Sequence, residues 1–188
     1  MIKKILRNWH RYVLWALLSA ILWGWIFTLV TNAPASKKVQ LFADLPDMRN
    51  EALEIALERE KPDGIRYVQA ATFEYAMIDA TEVLKGDLYL VPESKAEEYL
   101  ASFTPIDRSL FPNASFYESD GEAYGLLVYD ESENLAIGNG YVLYVPGERC
   151  WLFFSKDSGH IGAWNGSPDD AAIRVAQNYM KLEQEERE

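Results

Sequence analysis

The feature that most constrains this chain is an uncharged apolar run from Tyr12 to Thr31. These twenty residues would form a helix of roughly 30 Å, which matches the hydrocarbon thickness of a bilayer. Trp9 and Tyr12 stand at its start, where aromatic residues often mark a membrane interface. Four basic residues precede the run: Lys3, Lys4, Arg7 and Arg11. The positive-inside rule therefore predicts a single-pass transmembrane helix with a cytoplasmic N-terminus and an extracytoplasmic C-terminal domain.

A cleaved signal peptide is the alternative interpretation of the same segment. The small-residue pattern at Ala33, Pro34 and Ala35 is typical of a cleavage site before Ser36. Apolar cores of signal peptides are shorter, however, and this run contains three tryptophans, which are Trp15, Trp23 and Trp25. We therefore favour an uncleaved signal-anchor, and N-terminal sequencing of the mature protein distinguishes the two.

Charge is distributed unevenly along the chain. Residues 1–32 contain four basic and no acidic residues, so the net charge of −11 divides into +4 there and −15 over residues 33–188. A domain this acidic repels phosphate backbones, which excludes nucleic acid as a partner. The expected partners are the membrane, through residues 12–31, and either a small-molecule solute or another membrane protein.

Cys150 is the only cysteine, so an intramolecular disulfide is impossible. Its apolar surroundings, Trp151 to Phe154, predict a buried strand in which the thiol packs as a small hydrophobe. An outward-facing domain without disulfides is more typical of a bacterial cell surface than of a eukaryotic secretory route.

The remaining sequence predicts alternating strands and helices followed by a strand-rich part. The predicted strands are 38–43, 65–71, 87–92, 123–129, 141–145 and 150–155, and the predicted helices are 47–60, 73–84, 95–103 and a final one that starts at Ser167. Strand–helix repetition favours a parallel sheet covered on both faces, and the later strands favour hairpins. We predict an α/β fold in which a parallel-core mixed sheet is flanked by helices and carries an antiparallel C-terminal part. The predicted divisions are a basic N-terminus (1–11), a transmembrane helix (12–31), a linker (32–37), the α/β domain (38–183) and a charged tail (184–188).

Four short segments of this domain follow one another in a suggestive order. They are Asp87–Pro92, the helix that leads to Phe103–Ile106, Glu122–Val128, and Trp151–Ser155 before the final helix. In this order they resemble the extracellular solute-binding proteins of bacterial ABC transporters. The resemblance implies the two-lobed periplasmic-binding-protein fold, of which residues 38–183 would supply one lobe. It also implies a short, membrane-anchored relative of that family with a solute-binding role.

Ligands of parallel α/β sheets bind beyond the carboxyl ends of the strands, which directs attention to the segments after the first three strands. Those segments contribute Asp44, Tyr75, Glu93 and Ser94 as candidate ligand-binding residues. A glycine-containing loop after the sixth strand contributes His160 and Trp164, although we favour the interpretation that this loop is a tight connection with one aromatic residue in the core.

Motifs for catalysis, cofactors and metals are missing from the sequence. It contains no phosphate-binding glycine loop, nucleophile elbow, HExxH or Cys-x-x-Cys pattern. His160 has no histidine or cysteine close to it in sequence that would complete a zinc site. We therefore expect a non-enzymatic domain without cofactor that acts as a receptor, sensor or accessory subunit. The alternative is a structural or protein-interaction ectodomain with no small-molecule ligand.

Overall fold

A computed structural model describes residues 9–31, 34–73, 86–162 and 170–182, with the side chains of 27–31 left out. The chain divides into two compact units, residues 1–34 and residues 35–188. Three predictions fall outside the described residues: positions 74–84 of the helix predicted over 73–84, the candidate residues Tyr75 and Trp164, and the start of the last helix at Ser167.

The first unit contains helix α1, Trp9–Thr31. Apart from the half-buried Ile26, the apolar side chains that the structure describes on α1 are exposed, and they are distributed around its whole circumference. Among the described residues, no helix combines the length and the apolar character that crossing a membrane requires.

The second unit is a mixed α/β domain. Its strands are β1 (Lys38–Ala43), β2 (Asp47–Met48), β3 (Tyr67–Thr72), β4 (Leu88–Pro92), β5 (Phe116–Ser119), β6 (Glu122–Asp130), β7 (Leu135–Ala136), β8 (Val142–Leu143) and β9 (Cys150–Phe154). Its helices are α2 (Asn50–Glu58), α3 (Glu93–Tyr99) and α4 (Ala171–Tyr179), and short 3-10 helices occur at Ala35–Lys37, Leu100–Ser102, Arg108–Leu110 and Glu131–Glu133.

Seven strands form one sheet in the order β3-β1-β4-β9-β6-β5, with β7 paired to the far end of β6. β1 pairs in parallel with both β3 and β4. β9 lies antiparallel between β4 and β6, and β5 is antiparallel to β6. The prediction of a parallel core with an antiparallel C-terminal part is therefore confirmed at the level of fold class.

The structure differs from the local predictions in three places. β5 was missed by the sequence analysis. It forms a hairpin with β6, and Asp120 and Gly121, both with positive φ, make the turn. The segment predicted as a strand over 141–145 retains only β8, which pairs with β2 in a separate two-stranded sheet. β9 therefore pairs with β6, not with the strand that precedes it in sequence. Alternation of apolar residues specifies which face of a strand is buried and leaves its neighbour open.

The core lies on both faces of the sheet. Along β9, Leu152 and Phe154 face one apolar cluster, whereas Trp151 and Phe153 face the other. The first cluster is covered by apolar residues of α2 and α4, and the second by Ala96 and Tyr99 of α3 together with Phe103 and Phe73. Helix α3 follows β4 directly, so the carboxyl ends of β4 and of its neighbour β1 lie beside the start of α3.

Candidate functional site

Asp44, the first of the predicted site residues, connects the end of β1 to helix α3. Its carboxylate accepts hydrogen bonds from Lys95 Nζ at 2.8 and 2.9 Å and from the Tyr99 hydroxyl at 2.7 Å. Only 7% of Asp44 is exposed. Both carboxylate oxygens are thus engaged within the domain, and a buried carboxylate requires such partners. Asp44 positions α3 against the sheet.

Glu93 and Ser94 lie together at the start of α3, where the helix leaves backbone N–H groups without helical partners. Glu93 N donates to the Arg149 carbonyl oxygen at 2.9 Å, and Ser94 N donates to Glu148 Oε1 at 3.0 Å. This helix was predicted to start at residue 95, whereas it begins two residues earlier, at Glu93. Pro92 precedes it in an extended conformation and supplies no side-chain cap hydrogen bond of its own.

Arg149 is held beside α3 by the buried side chain of Asp130. Arg149 Nε donates to Asp130 Oδ2 at 2.6 Å, and Asp130 Oδ1 accepts from the Ser132 amide and hydroxyl at 2.8 and 2.6 Å. The Asp130 side chain is 5% exposed, whereas that of Arg149 is 47% exposed. Hydrogen bonds from Ser132, and then from Arg149, lower the pKa of Asp130 to about 2. A carboxylate that is ionised at neutral pH therefore orients the guanidinium.

These groups line an open pocket of 640 Å³ at the carboxyl end of the parallel strands. Its lining residues are Glu93, Ser94, Asp130, Glu131, Ser132, Gly147, Glu148 and Arg149. Four carboxylates and one guanidinium thus meet around one volume, and Gly147 N donates to Glu131 Oε2 at 2.8 Å. Gly147 has a φ of +76°, a conformation that favours glycine, so the chain can turn sharply between β8 and β9 here.

The terminal nitrogens of Arg149 are the part of this pocket that is open to a ligand. Asp130 accepts its hydrogen bond from the Nε atom, and neither Nη atom has a hydrogen-bond partner within the described residues. A guanidinium fixed through Nε presents its two Nη donors in the fork geometry that suits a carboxylate. The hydrogen bond and charge of Asp130 raise the pKa of Arg149 most, and the charges of Glu93 and Glu133 raise it further.

His160 lies elsewhere, at the opposite end of β4 and β9. Its ring Nε2 is 2.9 Å from the Ala35 carbonyl oxygen, its amide donates to Ser158 Oγ at 3.0 Å, and its carbonyl accepts from Ala172 N at 3.1 Å. His160 is only 9% exposed. The core-filling interpretation of this histidine therefore fits its surroundings, and it does not line the pocket at α3.

A second pocket escaped the sequence analysis. It has a volume of 550 Å³ and lies where β5 and β7 part along β6. Its lining residues are Phe111, Pro112, Asn113, Ala114, Ser115, Leu127, Glu133, Leu135, Ile137, Gln177, Met180 and Lys181. They come from four distant segments of the chain, and none forms a motif that sequence inspection could have detected.

Cys150 is buried in β9, and burial raises the pKa of its thiol. The predicted structural role of Cys150 agrees with this environment, since a reactive thiolate needs access and a lowered pKa. Within residues 9–31, 34–73, 86–162 and 170–182, no group of histidine, cysteine and acidic side chains is arranged to hold a metal ion.

Comparison with known proteins gives little further information. No protein-family model and no curated protein sequence matches this chain. A solved structure, thiaminase I from Bacillus thiaminolyticus, is similar over 47% of this chain and 27% of that chain, with 14% identity and a TM-score of 0.34. The resemblance to solute-binding proteins thus has no support from a family model or a sequence relative. The neighbour is named as an enzyme, and the expectation of no catalytic activity in this chain stays a prediction.

Proposed function

We propose that this chain is a membrane-anchored binding domain that holds a small zwitterionic solute in the pocket beside α3. The observation that carries the proposal is Arg149, which is fixed at Nε by Asp130 and has both Nη atoms unbonded within the described residues. A ligand carboxylate would accept from those two atoms. The surrounding acids, Glu93, Glu131 and Glu148, would favour a positive group on the same ligand over a simple anion.

The domain would act without chemistry, as a receptor, a sensor or an accessory subunit. Its strand order, with parallel β3-β1-β4 followed by antiparallel β9, supports a single lobe of the solute-binding type. A pocket of 640 Å³ falls within the range of small-molecule sites. One lobe presents an open pocket, so we expect binding to be weak compared with that of a ligand enclosed between two lobes.

A thermal-shift titration of the full chain in detergent tests this function. The probes are L-alanine, alaninamide, which lacks the carboxylate, and propionate, which lacks the ammonium group. We expect stabilisation by L-alanine alone, because it is the one probe of the three that carries both charged groups. A ligand that binds the folded state raises its stability by about 2.7 kcal/mol at a hundred times Kd. A panel of other zwitterionic amino acids extends the test to larger side chains.

Arg149→Ala should abolish the response to the zwitterion. Arg108→Ala is the matched control, because Arg108 pairs with the exposed Glu118 and does not line this pocket. Stabilisation that survives in Arg149→Ala would refute the role of the guanidinium. The alternative function, a protein-interaction domain without a solute, predicts no response to any zwitterion and a protein partner that copurifies from solubilised membranes.

We also propose that residues 12–31 anchor the domain in a bacterial cell membrane, with the N-terminus in the cytoplasm. The support is the uncharged run itself and the basic residues that precede it. This proposed span runs to Thr31, beyond the last side chain of α1 that the structure describes. Apolar residues around the whole circumference of a helix fit a lipid environment better than the surface of a globular protein.

The contact between His160 and Ala35 supports an uncleaved anchor. Cleavage after Ala35 would remove the carbonyl oxygen that His160 Nε2 contacts. Alkaline carbonate extraction tests the anchoring, because an integral protein stays with the membrane pellet. N-terminal sequencing then decides cleavage, and a mature protein that starts at Ser36 would contradict the anchor.

A further inference from the structure

β3 is the terminal strand of the sheet among the described strands, and its outer edge is occupied by side chains of α2. Val68 N donates to Glu58 Oε1 at 3.1 Å, and Ala70 N donates to Glu54 Oε1 at 2.8 Å. An edge strand ordinarily presents such N–H groups to any strand that can pair with it. Here two helix carboxylates take the place of the carbonyl oxygens that a neighbouring strand would supply.

The spacing of the two elements explains why both bonds form. Glu54 and Glu58 are four residues apart in α2, which places them on one face of the helix about 5–6 Å apart. Val68 and Ala70 are two residues apart in β3, and this separates them by about 7 Å along the edge. Leu53 and Leu57 are fully buried against the sheet and keep α2 in this position.

The strand that these carboxylates cover has the composition of an association-prone segment. β3 reads Tyr-Val-Gln-Ala-Ala-Thr, without charge, proline or glycine. Uncharged six-residue strands of this kind pair readily with copies of themselves when their edge is free. The matching segment in a second copy is therefore the natural competitor for the two amides.

We propose that Glu54 and Glu58 close the β3 edge to strand addition, and that the partner they exclude is β3 of a second copy of this chain. Two β3 edges would pair antiparallel about a two-fold axis, because such an axis brings one edge against the same edge. The carbonyl oxygens of the second strand would take the amides that Glu54 and Glu58 now hold.

The test compares the oligomeric state of full-chain variants in detergent by analytical ultracentrifugation at matched concentrations. In Glu54→Ala/Glu58→Ala the edge amides lose their acceptors, and we expect a dimer fraction at least tenfold above that of the wild type. Glu54→Gln/Glu58→Gln loses the same two charges but keeps an acceptor oxygen at each position, so it should remain as monomeric as the wild type. Glu51→Ala controls for the loss of one exposed acid from the same helix.

Amide hydrogen exchange in the single variants keeps the proposal testable if the double alanine variant fails to fold. At dilution, Glu54→Ala should accelerate exchange of the Ala70 amide, and Glu58→Ala that of the Val68 amide, each by roughly tenfold. Two results would overturn the proposal. One is a folded double alanine variant that stays as monomeric as the wild type. The other is a glutamine variant that dimerises as strongly as the alanine variant, which would assign the effect to charge alone.

Discussion

His160 Nε2 lies 2.9 Å from the carbonyl oxygen of Ala35, a residue 125 positions earlier in the chain. Ala35 begins the 3-10 helix that leads into β1, so this contact ties the first residues of the domain to the loop that follows β9. Ala172 N, in α4, donates to the carbonyl oxygen of the same histidine. One buried residue thus joins the entry of the domain, through its ring, to the last described helix, through its backbone carbonyl.

Replacing His160 by alanine should therefore destabilise the domain. We expect a loss of about 1–3 kcal/mol in the free energy of unfolding, from one hydrogen bond and the packing of a buried ring. Urea denaturation followed by tryptophan fluorescence measures this change. His10→Ala, in the exposed part of α1, is the control. An equal midpoint for the two variants would mean that the contact with Ala35 contributes nothing.

Gly125→Ala should destabilise the sheet through a steric clash. A Cβ atom at position 125 would lie 2.7 Å from Cε1 of Phe153, whose ring stacks on Phe103 at 4.4 Å. We expect a cost of about 1–3 kcal/mol, typical of overpacking a core. Gly159→Ala is the control, because a Cβ there meets no atom within 4 Å. If thermal denaturation gives both variants the wild-type midpoint, the Phe153 ring has room to move.

Asp87 should make the domain more stable as the pH falls from neutral. Burial raises the pKa of Asp87, and hydrogen bonds from Ser158 and the Gln40 amide only partly oppose this effect. The folded state therefore binds the proton more tightly than the unfolded state, so the free energy of unfolding increases as the pH falls through the folded-state pKa. Asp87→Asn should flatten this part of the pH profile, whereas the exposed Asp157→Asn should not. A wild-type slope in Asp87→Asn would refute the assignment.

Asp130 should act in the opposite direction at more acidic pH. Its pKa falls to about 2 because it accepts hydrogen bonds from Ser132 and Arg149. Its contribution to stability is complete above the unfolded-state pKa near 4 and is lost as the pH falls through about 2. Asp130→Asn should remove this acid-dependent loss in a denaturation series from pH 5 to roughly pH 2. Asp63→Asn, in an exposed turn, should retain the loss, and the same result for both variants would contradict the prediction.

The sequence by itself determined the positions of the principal strands and the class of the fold. β1, β4 and β9 are predominantly apolar runs bounded by charged or turn-forming residues, and their predicted limits agree with the observed ones within one residue. The strand–helix order likewise predicted that β1, β3 and β4 run parallel to one another. These features depend on local composition and periodicity, which a sequence states directly.

Only the tertiary structure decided which strands become neighbours and what each candidate site residue contacts. Asp44 meets Lys95 and Tyr99 across 51 and 55 residues, and Arg149 meets Asp130 across 19. The insertion of β9 between β4 and β6 brings Arg149 next to Glu93 and creates the pocket. Such contacts follow from long-range strand pairing, which no local pattern encodes, because the same alternation of buried residues is compatible with many neighbours.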